Sequence, residues 1–225
     1  MPGPGQYLGE DGLIYCGKCR TPVQCRVKFE DKIRIMPCIC RCQQEENERQ
    51  KKFMEKQEQM RYVRSLIAAG LQERSLRDWT FAVAGDTPTI QMGKRYVEHW
   101  EQAREKNLGL LFWGDIGTGK LFLAACIANA LLEKGISVLM TNFSKILNQM
   151  GAMYSDERYH YIASFNQFSL LIIDDLGIER NTEYALEQVY TVIDERYKAR
   201  LPLIITTNLT VSQLRNPEDA THARI

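Results

Sequence analysis

A glycine-rich stretch at residues 114–122, GDIGTGKLF, constrains the fold of this chain more than any other feature. It satisfies every position of the pattern G-x-x-x-x-G-K-[ST] except the last. The apolar stretch LGLLFW precedes it, and the helix-forming stretch KLFLAACIANALLEKG follows it. Because the backbone N–H groups of such a loop surround phosphate oxygens, this order predicts a nucleotide site between a strand and a helix. The residues predicted to contact the nucleotide are Gly114, Asp115, Ile116, Gly117, Thr118, Gly119, Lys120 and Leu121.

The last position of the pattern is Leu121, where a Ser or Thr hydroxyl would contact Mg²⁺. Leucine has no donor or acceptor, so it cannot ligate a metal ion. Lys120 and the backbone amides still provide phosphate contacts, and we therefore expect binding to survive better than hydrolysis. Lost Mg²⁺ positioning would cost on the order of 3 kcal/mol, a hundredfold or more in rate. Alternatively, a water takes the place of the hydroxyl and Asp174 suffices, because Mg²⁺ usually keeps several waters.

Strands and helices alternate after Gly109, which predicts an α/β domain with a parallel sheet covered on both faces. The predicted strand FSLLIIDD ends in Asp174 and Asp175, and LPLIITTN ends in Asn208. Ligands of such sheets bind at the carboxyl ends of the strands. We expect Asp174 to hold Mg²⁺, Asp175 to orient or deprotonate the attacking water, and Asn208 to contact that water or the γ-phosphate. The alternatives are capping carboxylates and a strand-ending turn residue.

Four segments in this order, GDIGTGK, LLIIDDLG, TEYALEQVYTVIDERY and LPLIITTNL, resemble the bacterial DnaC/DnaI helicase loaders. These loaders are AAA+ ATPases with a doubly wound parallel sheet, and the transposition helper IstB is their close relative. The resemblance covers the chain from about residue 60 to its end. It implies that Lys120 is the Walker A lysine, that Asp174 and Asp175 are the Walker B pair, and that Asn208 is the sensor 1 residue.

The same resemblance implies the cofactors ATP and Mg²⁺ and three partners. These are a replicative DNA helicase, single-stranded DNA, and further copies of the chain assembled on helicase or DNA. An arginine finger of the family acts on a neighbouring subunit's nucleotide, and Arg224 is the candidate for it. The family continues into a further strand and helix beyond the point where this sequence stops, so we expect a C-terminal truncation.

Six of the seven cysteines lie between Cys16 and Cys42. In a reducing cytosol, such a cluster predicts a metal site rather than a disulfide framework. The C-x₂-C pair of Cys16 and Cys19 stands opposite a second, closely spaced group, and this arrangement suits a structural Zn²⁺. Cys38 and Cys40 are the first choice for the second pair, with Cys42 able to replace either. The alternative is a set of free cysteines.

Residues 16–42 also carry seven basic and two acidic side chains, a local net charge of +5. Such a surface suits a nucleic-acid backbone or an acidic protein partner, and the family resemblance favours the helicase. Residues 43–69 lack Pro and Gly and carry mixed charges, which predicts one long solvated helix, either a spacer or a partner-binding helix. We therefore predict a zinc-binding module over residues 1–42, a helical linker over 43–85 and an AAA+ domain over 86–225.

The overall net charge is only +1, so any affinity for nucleic acid must be local. No apolar run approaches the roughly 20 residues of a membrane span, and the N-terminus does not resemble a signal peptide. We expect a cytoplasmic protein without membrane contact. The segment YIASFNQF is interpreted as core packing, with stacking on single-stranded DNA as the alternative. Three functions stay open: a loader ATPase, a non-hydrolysing adaptor that binds nucleotide or only helicase, and an IstB-like transposition helper.

Overall fold

The structure is a computed structural model of the chain, and it describes residues 1–30, 32–177 and 183–214. Two compact units, Met1–Arg61 and Tyr62–Ile225, divide the chain. The boundary between them lies inside helix α1 (Arg41–Gly70). The three-part division with limits after residues 42 and 85 stays a prediction.

The first unit contains two antiparallel hairpins and the start of helix α1. Strands β1 (Gln6–Leu8) and β2 (Ile14–Cys16) form one hairpin, and strands β3 (Gln24–Phe29) and β4 (Lys32–Pro37) form the other. Its apolar core is small, since Leu13 and Cys40 are the buried apolar residues of the described part. With so little apolar surface buried, a bound metal would add substantially to the stability of this unit.

Helix α1 confirms the single long helix predicted from the mixed-charge stretch. Pairs of opposite charge three or four residues apart, such as Arg41 with Glu45 and Lys51 with Glu55, line its surface. These pairs are exposed and contribute little to stability each. None of the helices in the described ranges combines the length and apolarity needed to cross a bilayer.

The second unit is built on a four-stranded parallel sheet in the order β5-β8-β7-β6. The strands are β5 (Leu110–Trp113), β6 (Val138–Asn142), β7 (Leu170–Leu176) and β8 (Leu203–Thr207). The helices of this unit after α1 are α2 (Pro88–Glu98), α3 (Trp100–Glu105), α4 (Lys120–Glu133), α5 (Phe143–Gly151), α6 (Ser155–Ser164), α7 (Glu183–Lys198) and α8 (Val211–Leu214). Two short 3₁₀ helices cover Arg74–Asp78 and Phe165–Gln167.

Strand β7 shows why the central strands are continuously apolar. Leu170 and Ile172 pack in one apolar cluster with α2 and α4, whereas Leu171 and Ile173 pack in a second cluster with α5 and α7. Successive strand residues face opposite sides, so a sheet with helices on both faces buries every position. The predicted doubly wound parallel sheet is therefore confirmed.

Candidate functional site

The glycine-rich loop joins the end of strand β5 to the start of helix α4, as the sequence predicted. Gly117 and Gly119 have φ values of 83° and 84°, in the left-handed region that favours glycine. Gly119 is also the N-cap of α4, whose first residue is Lys120. The first N–H groups of a helix have no partner within it. The loop and the helix start thus form a region suited to an anion.

The ammonium group of Lys120 is held by the loop itself. Its Nζ donates hydrogen bonds to the carbonyl oxygens of Gly114 at 2.8 Å and Asp115 at 2.9 Å. The hydroxyl of Thr118 donates to the same Asp115 oxygen at 2.9 Å. An incoming phosphate must compete with these carbonyls for Lys120. The cost of breaking these hydrogen bonds therefore offsets part of the energy of the phosphate contact.

The two carboxylates predicted from the sequence follow the buried part of strand β7. The Thr206 hydroxyl donates a hydrogen bond to Oδ1 of Asp174, and the Asp175 N–H donates to that hydroxyl at 3.0 Å. Burial raises the pKa of Asp174, and the charge of Asp175 acts in the same direction. The Thr206 hydrogen bond and the charge of Lys120 oppose that rise. A cation beside Asp174 would relieve the cost of keeping this carboxylate ionised.

One cavity of about 390 Å³ gathers these groups, and we call it the nucleotide cavity. Its volume lies within the range of small-molecule sites. The predicted residues that line it are Ile116, Gly117, Thr118, Gly119, Lys120, Leu121, Asp174, Asp175 and Asn208. Gly114 and Asp115 contact it indirectly, through the hydrogen bonds that their carbonyl groups accept from Lys120.

Sequence reasoning missed three residues that line the same cavity: Trp79, Phe122 and Thr206. The rings of Trp79 and Phe122 lie 5.8 Å apart and form an aromatic side of the cavity. The buried Asn129 of α4 fixes this side, because its amide donates to the carbonyl oxygen of Trp79 at 2.9 Å. Trp79 is distant in sequence from the motifs, whereas Thr206 was visible in the quoted segment LIITTN.

Leu121 lies between the nucleotide cavity and a smaller neighbour. That neighbour has a volume of about 110 Å³ and is lined by Leu121, Asp174 and the ion-paired Glu73 and Lys145, among others. Leu121 is half-buried and packs against the apolar cluster around α4. Its side chain is therefore part of the packing of this region as well as a wall of the site.

Two further predictions concern residues away from this cavity. Arg224, the candidate arginine finger, lies outside the described residues. In the segment YIASFNQF, Ile162 and Phe165 are buried in the cluster with α5 and α7. The rings of Tyr161 and Phe165 contact edge to face at 4.9 Å. Core packing, the interpretation favoured for these aromatic residues, is confirmed.

The first unit holds a group of four cysteines, which we call the thiol cluster: Cys16, Cys19, Cys40 and Cys42. Their sulfur atoms all lie within 4.8 Å of one another. The Sγ atoms of Cys16 and Cys42 are 3.6 Å apart, and those of Cys40 and Cys42 are 3.4 Å apart. Tetrahedral Zn²⁺ with Zn–S bonds of about 2.3 Å places its sulfurs roughly 3.8 Å apart. The cluster therefore fits a structural Zn²⁺.

The titration of the thiol cluster supports the same fit. A hydrogen bond with the Thr21 side chain lowers the pKa of Cys19 to about 5. Hydrogen bonding with Cys40, and then with Cys19 and Cys16, raises the pKa of Cys42 to about 12. Four thiolates at this distance repel one another, so they cannot all ionise unless a cation lies between them. A divalent metal supplies that cation.

Cys42 is a member of this cluster in place of the predicted Cys38. The N–H of Cys38 donates to the carbonyl oxygen of Val23 at 2.8 Å, and its Sγ donates to that of Pro22 at 3.5 Å. Cys38 thus continues the hairpin, and its sulfur is not part of the group of four. Helix α1 begins at Arg41, and its first turn brings Cys42 back beside Cys40. The choice of Cys38 is corrected to Cys42, the alternative that the spacing left open.

Known proteins share this arrangement of sheet and loop. The replicative helicase loader DnaC of Escherichia coli K12 is 26% identical over 159 residues, which cover 69% of this chain and 64% of that protein. The replicative helicase loader DnaI of Bacillus subtilis is 25% identical over 167 residues, which cover 72% of this chain and 54% of that protein. The chain thus spans less than two thirds of the length of these relatives.

Solved structures show the same fold. A crystal structure of DnaI superposes with a TM-score of 0.56 at 22% identity, covering 69% of this chain and 88% of that one. A crystal structure of the DnaC helicase loader gives a TM-score of 0.51 at 22% identity, covering 68% and 91%. The family model for IstB-like ATP binding proteins matches residues 42–221. The chain therefore belongs to the IstB-like ATP-binding protein family and has the AAA+ fold of its DnaC and DnaI relatives.

Proposed function

We propose that this chain loads a replicative helicase onto single-stranded DNA, with ATP binding as the switch and weak ATP hydrolysis. The observation that carries the proposal is the nucleotide cavity, in which Lys120, Asp174, Asp175 and Asn208 meet beside the glycine-rich loop. Family membership supports ATP binding. The similarity to proteins named as replicative helicase loaders supports the choice of partner.

Four polar and two aromatic side chains of the nucleotide cavity have roles in this proposal. Lys120 leaves the loop carbonyls and contacts the β- and γ-phosphates. Asp174 would hold Mg²⁺ directly or through water, and Mg²⁺ would supply neutralisation of phosphate charge. Asp175 orients or deprotonates the attacking water, and Asn208 hydrogen-bonds that water or the γ-phosphate. The aromatic side formed by Trp79 and Phe122 suits the nucleobase.

Leu121 sets the balance between binding and hydrolysis. Its apolar side chain lines the cavity but offers no ligand to Mg²⁺. The presence of leucine instead of Ser or Thr does not affect the backbone amides or Lys120, so phosphate binding persists. Asp174 and waters would then hold Mg²⁺, with less charge stabilisation in the transition state. A switch of this kind changes state on binding ATP and resets slowly.

The hairpin of β3 and β4, which we call the basic ribbon, is the proposed docking surface for the helicase. Each of its last four cross-strand pairs joins a basic residue to an apolar one: Arg26 with Ile35, Val27 with Arg34, Lys28 with Ile33 and Phe29 with Lys32. Ile33 and Phe29 are 70% and 63% exposed. Exposed apolar groups among cations suit a partner surface that is apolar and acidic. In this proposal, Zn²⁺ in the thiol cluster stabilises the unit that carries the ribbon.

Further copies of the chain are expected to assemble on helicase or DNA. In this class of protein, subunits complete each other's nucleotide sites, and Arg224 stays the proposed arginine finger. We place the protein in the cytoplasm, where reduced thiols are available for Zn²⁺. The alternatives are a non-hydrolysing adaptor, which Leu121 favours, and a transposition helper, which membership of the IstB-like family favours.

A pull-down separates these candidates. A purified hexameric replicative helicase and a purified IS21-type transposase are immobilised separately, and the chain is added with ATP or without nucleotide. The proposal predicts ATP-dependent retention on the helicase, which the double variant Ile33→Ser, Ile35→Ser loses. The control is Tyr159→Ser, an exposed aromatic residue of α6. Retention on the transposase alone indicates the helper, and nucleotide-independent retention on the helicase indicates the adaptor that binds only helicase; an adaptor that binds nucleotide is distinguished by the absence of ATP turnover.

A further inference from the structure

Strand β7 carries a bulge at its two carboxylates. Ile173 pairs with Ile205 of β8, but the next pair joins Leu176 to Thr207. Two residues of β7, Asp174 and Asp175, therefore oppose the single residue Thr206. On its other side β7 pairs regularly with β6, up to Asn142 and Asp174.

The bulge explains how two adjacent carboxylates reach one cavity. In a regular strand, successive side chains point to opposite faces of the sheet, so only one of a consecutive pair would face the site. A bulge re-aims one side chain and leaves its backbone group unpaired in the ladder. Asp175 adopts a φ of 57°, in the left-handed region, and both Asp174 and Asp175 line the nucleotide cavity.

Thr206 supplies the bond that the bulge removes. Its side chain is fully buried, and its hydroxyl accepts the Asp175 N–H at 3.0 Å. The same hydroxyl donates a hydrogen bond to Oδ1 of Asp174. One oxygen therefore uses its donor and an acceptor site to fix both members of the carboxylate pair.

The neighbouring Thr207 offers a matched comparison. It is also fully buried, but its hydroxyl donates to the carbonyl oxygen of Leu176 at 2.7 Å and accepts the Leu209 N–H at 3.0 Å. It stabilises the strand end after the bulge and has no bond to either carboxylate. Two adjacent threonines of one strand thus have different tasks.

We propose that Thr206 is a positioning residue for the divalent cation, because its hydroxyl holds the bulge that presents Asp174 and Asp175 to one site. Thr206 contacts neither phosphate nor reacting water in this role and acts through the two carboxylates. The consequence for Mg²⁺ rests on the proposed function, whereas the fixation of the bulge does not. Asp174 and Asp175 on β7 and Thr206 on β8, two residues before Asn208, thus act together in one arrangement.

The first test needs no nucleotide. Amide hydrogen exchange at Asp175 is measured by NMR in the full chain and in the variants Thr206→Val, Thr206→Ser and Thr207→Val. We expect exchange at Asp175 to become at least about tenfold faster in Thr206→Val, because its acceptor is gone. Thr206→Ser and Thr207→Val should retain slow exchange. Equal exchange in the wild type and Thr206→Val would overturn the proposal, as would equal acceleration in Thr207→Val.

The second test measures the affinity of a fluorescent ATP analogue with Mg²⁺ and with EDTA. The gain is the increase in affinity for the analogue when Mg²⁺ is present instead of EDTA. We expect this gain to be about tenfold smaller in Thr206→Val, whose affinity in EDTA should be unchanged. Thr206→Ser should restore the gain, and Thr207→Val should keep it. A wild-type gain in Thr206→Val would overturn the role toward the cation. If even the wild type binds no nucleotide, the proposed function fails, and the exchange experiment still decides whether Thr206 holds the bulge.

Discussion

Leu121 and Asp174 together line both the nucleotide cavity and the smaller cavity beside it. The apolar side chain thus stands next to the carboxylate that is expected to hold Mg²⁺. In the usual phosphate-binding loop a hydroxyl at this position shares the metal with the acidic residue. Here the position holds leucine, so in the proposed function Asp174 and water would hold the cation without a hydroxyl ligand at residue 121.

The raised pKa of Asp174 predicts a stability effect. Burial raises the pKa of this carboxyl above its unfolded value of 3.8. As the pH rises from the unfolded pKa to the folded pKa, the folded state is therefore destabilised relative to the unfolded state. The full cost is present above the folded pKa. We expect Asp174→Asn to raise the melting temperature of the nucleotide-free chain at pH 7 and to give a smaller rise as the pH falls towards 3.8.

Thermal unfolding at pH 7 and pH 4.5 checks this prediction, with the exposed Asp78→Asn as the control. The same Asp174→Asn variant should also lose the gain in nucleotide affinity that Mg²⁺ provides. A lower melting temperature at pH 7 would show that the Asp174 carboxylate stabilises the nucleotide-free fold, contrary to this account.

Among the side chains of the nucleotide cavity, we expect the replacement of Lys120 to cause the largest loss of nucleotide affinity. A charge-assisted contact to phosphate contributes about 1.5–3 kcal/mol, so Lys120→Met should weaken the binding of a fluorescent ATP analogue at least tenfold. The exposed Lys106 of the loop before β5 provides a control, Lys106→Met, with unchanged affinity. Equal affinity of both variants would mean that the nucleotide binds elsewhere.

The thiol cluster predicts one Zn²⁺ per chain. Cys42→Ser should lose most of the bound zinc, measured by elemental analysis of the purified protein, because it removes one of four ligands. Cys38→Ser should retain it, since Cys38 lies outside the cluster. The reverse pattern would restore the pair Cys38 and Cys40 that the spacing first suggested.

We expect the replacement of Arg196 to lower the stability of the fold without changing the nucleotide cavity. Its buried guanidinium donates to the carbonyl oxygens of Phe165, Phe168 and Pro202 at 3.1, 2.9 and 2.9 Å. Arg196→Met removes the hydrogen bonds from the guanidinium to these carbonyls, which should cost about 3 kcal/mol and lower the melting temperature by roughly 6–12 °C. The control Lys198→Met removes an exposed ion pair in the same helix, and its effect should stay within about 1 kcal/mol. Similar melting temperatures for both variants would contradict this assignment.

Much of the sheet and of the nucleotide site could be predicted from the sequence for one physical reason. Strands buried on both faces give continuous apolar runs, and a parallel sheet collects its strand ends at one edge. Lys120, Asp174, Asp175 and Asn208 therefore met as expected, although they are distant in sequence.

What could not be predicted depends on contacts that leave no periodic signal. Thr206 completes a bulge whose existence depends on how β7 pairs with β8. Arg196 lies on a helix whose charged residues suggest an exposed face, yet it is buried, and its guanidinium donates to carbonyl oxygens from two regions of the chain, Phe165 to Phe168 and Pro202. Cys38 and Cys42 have the same spacing from Cys40, and only the start of helix α1 distinguishes them.

In the proposed function, Leu121 permits ATP binding but slows hydrolysis. The most direct test measures ATP turnover and fluorescent nucleotide binding for the wild-type chain and Leu121→Thr, each with and without single-stranded DNA. We expect similar binding by both proteins and turnover roughly a hundredfold higher in Leu121→Thr. Equal turnover in the two proteins would contradict it, because the hydroxyl would then add nothing to the positioning of Mg²⁺.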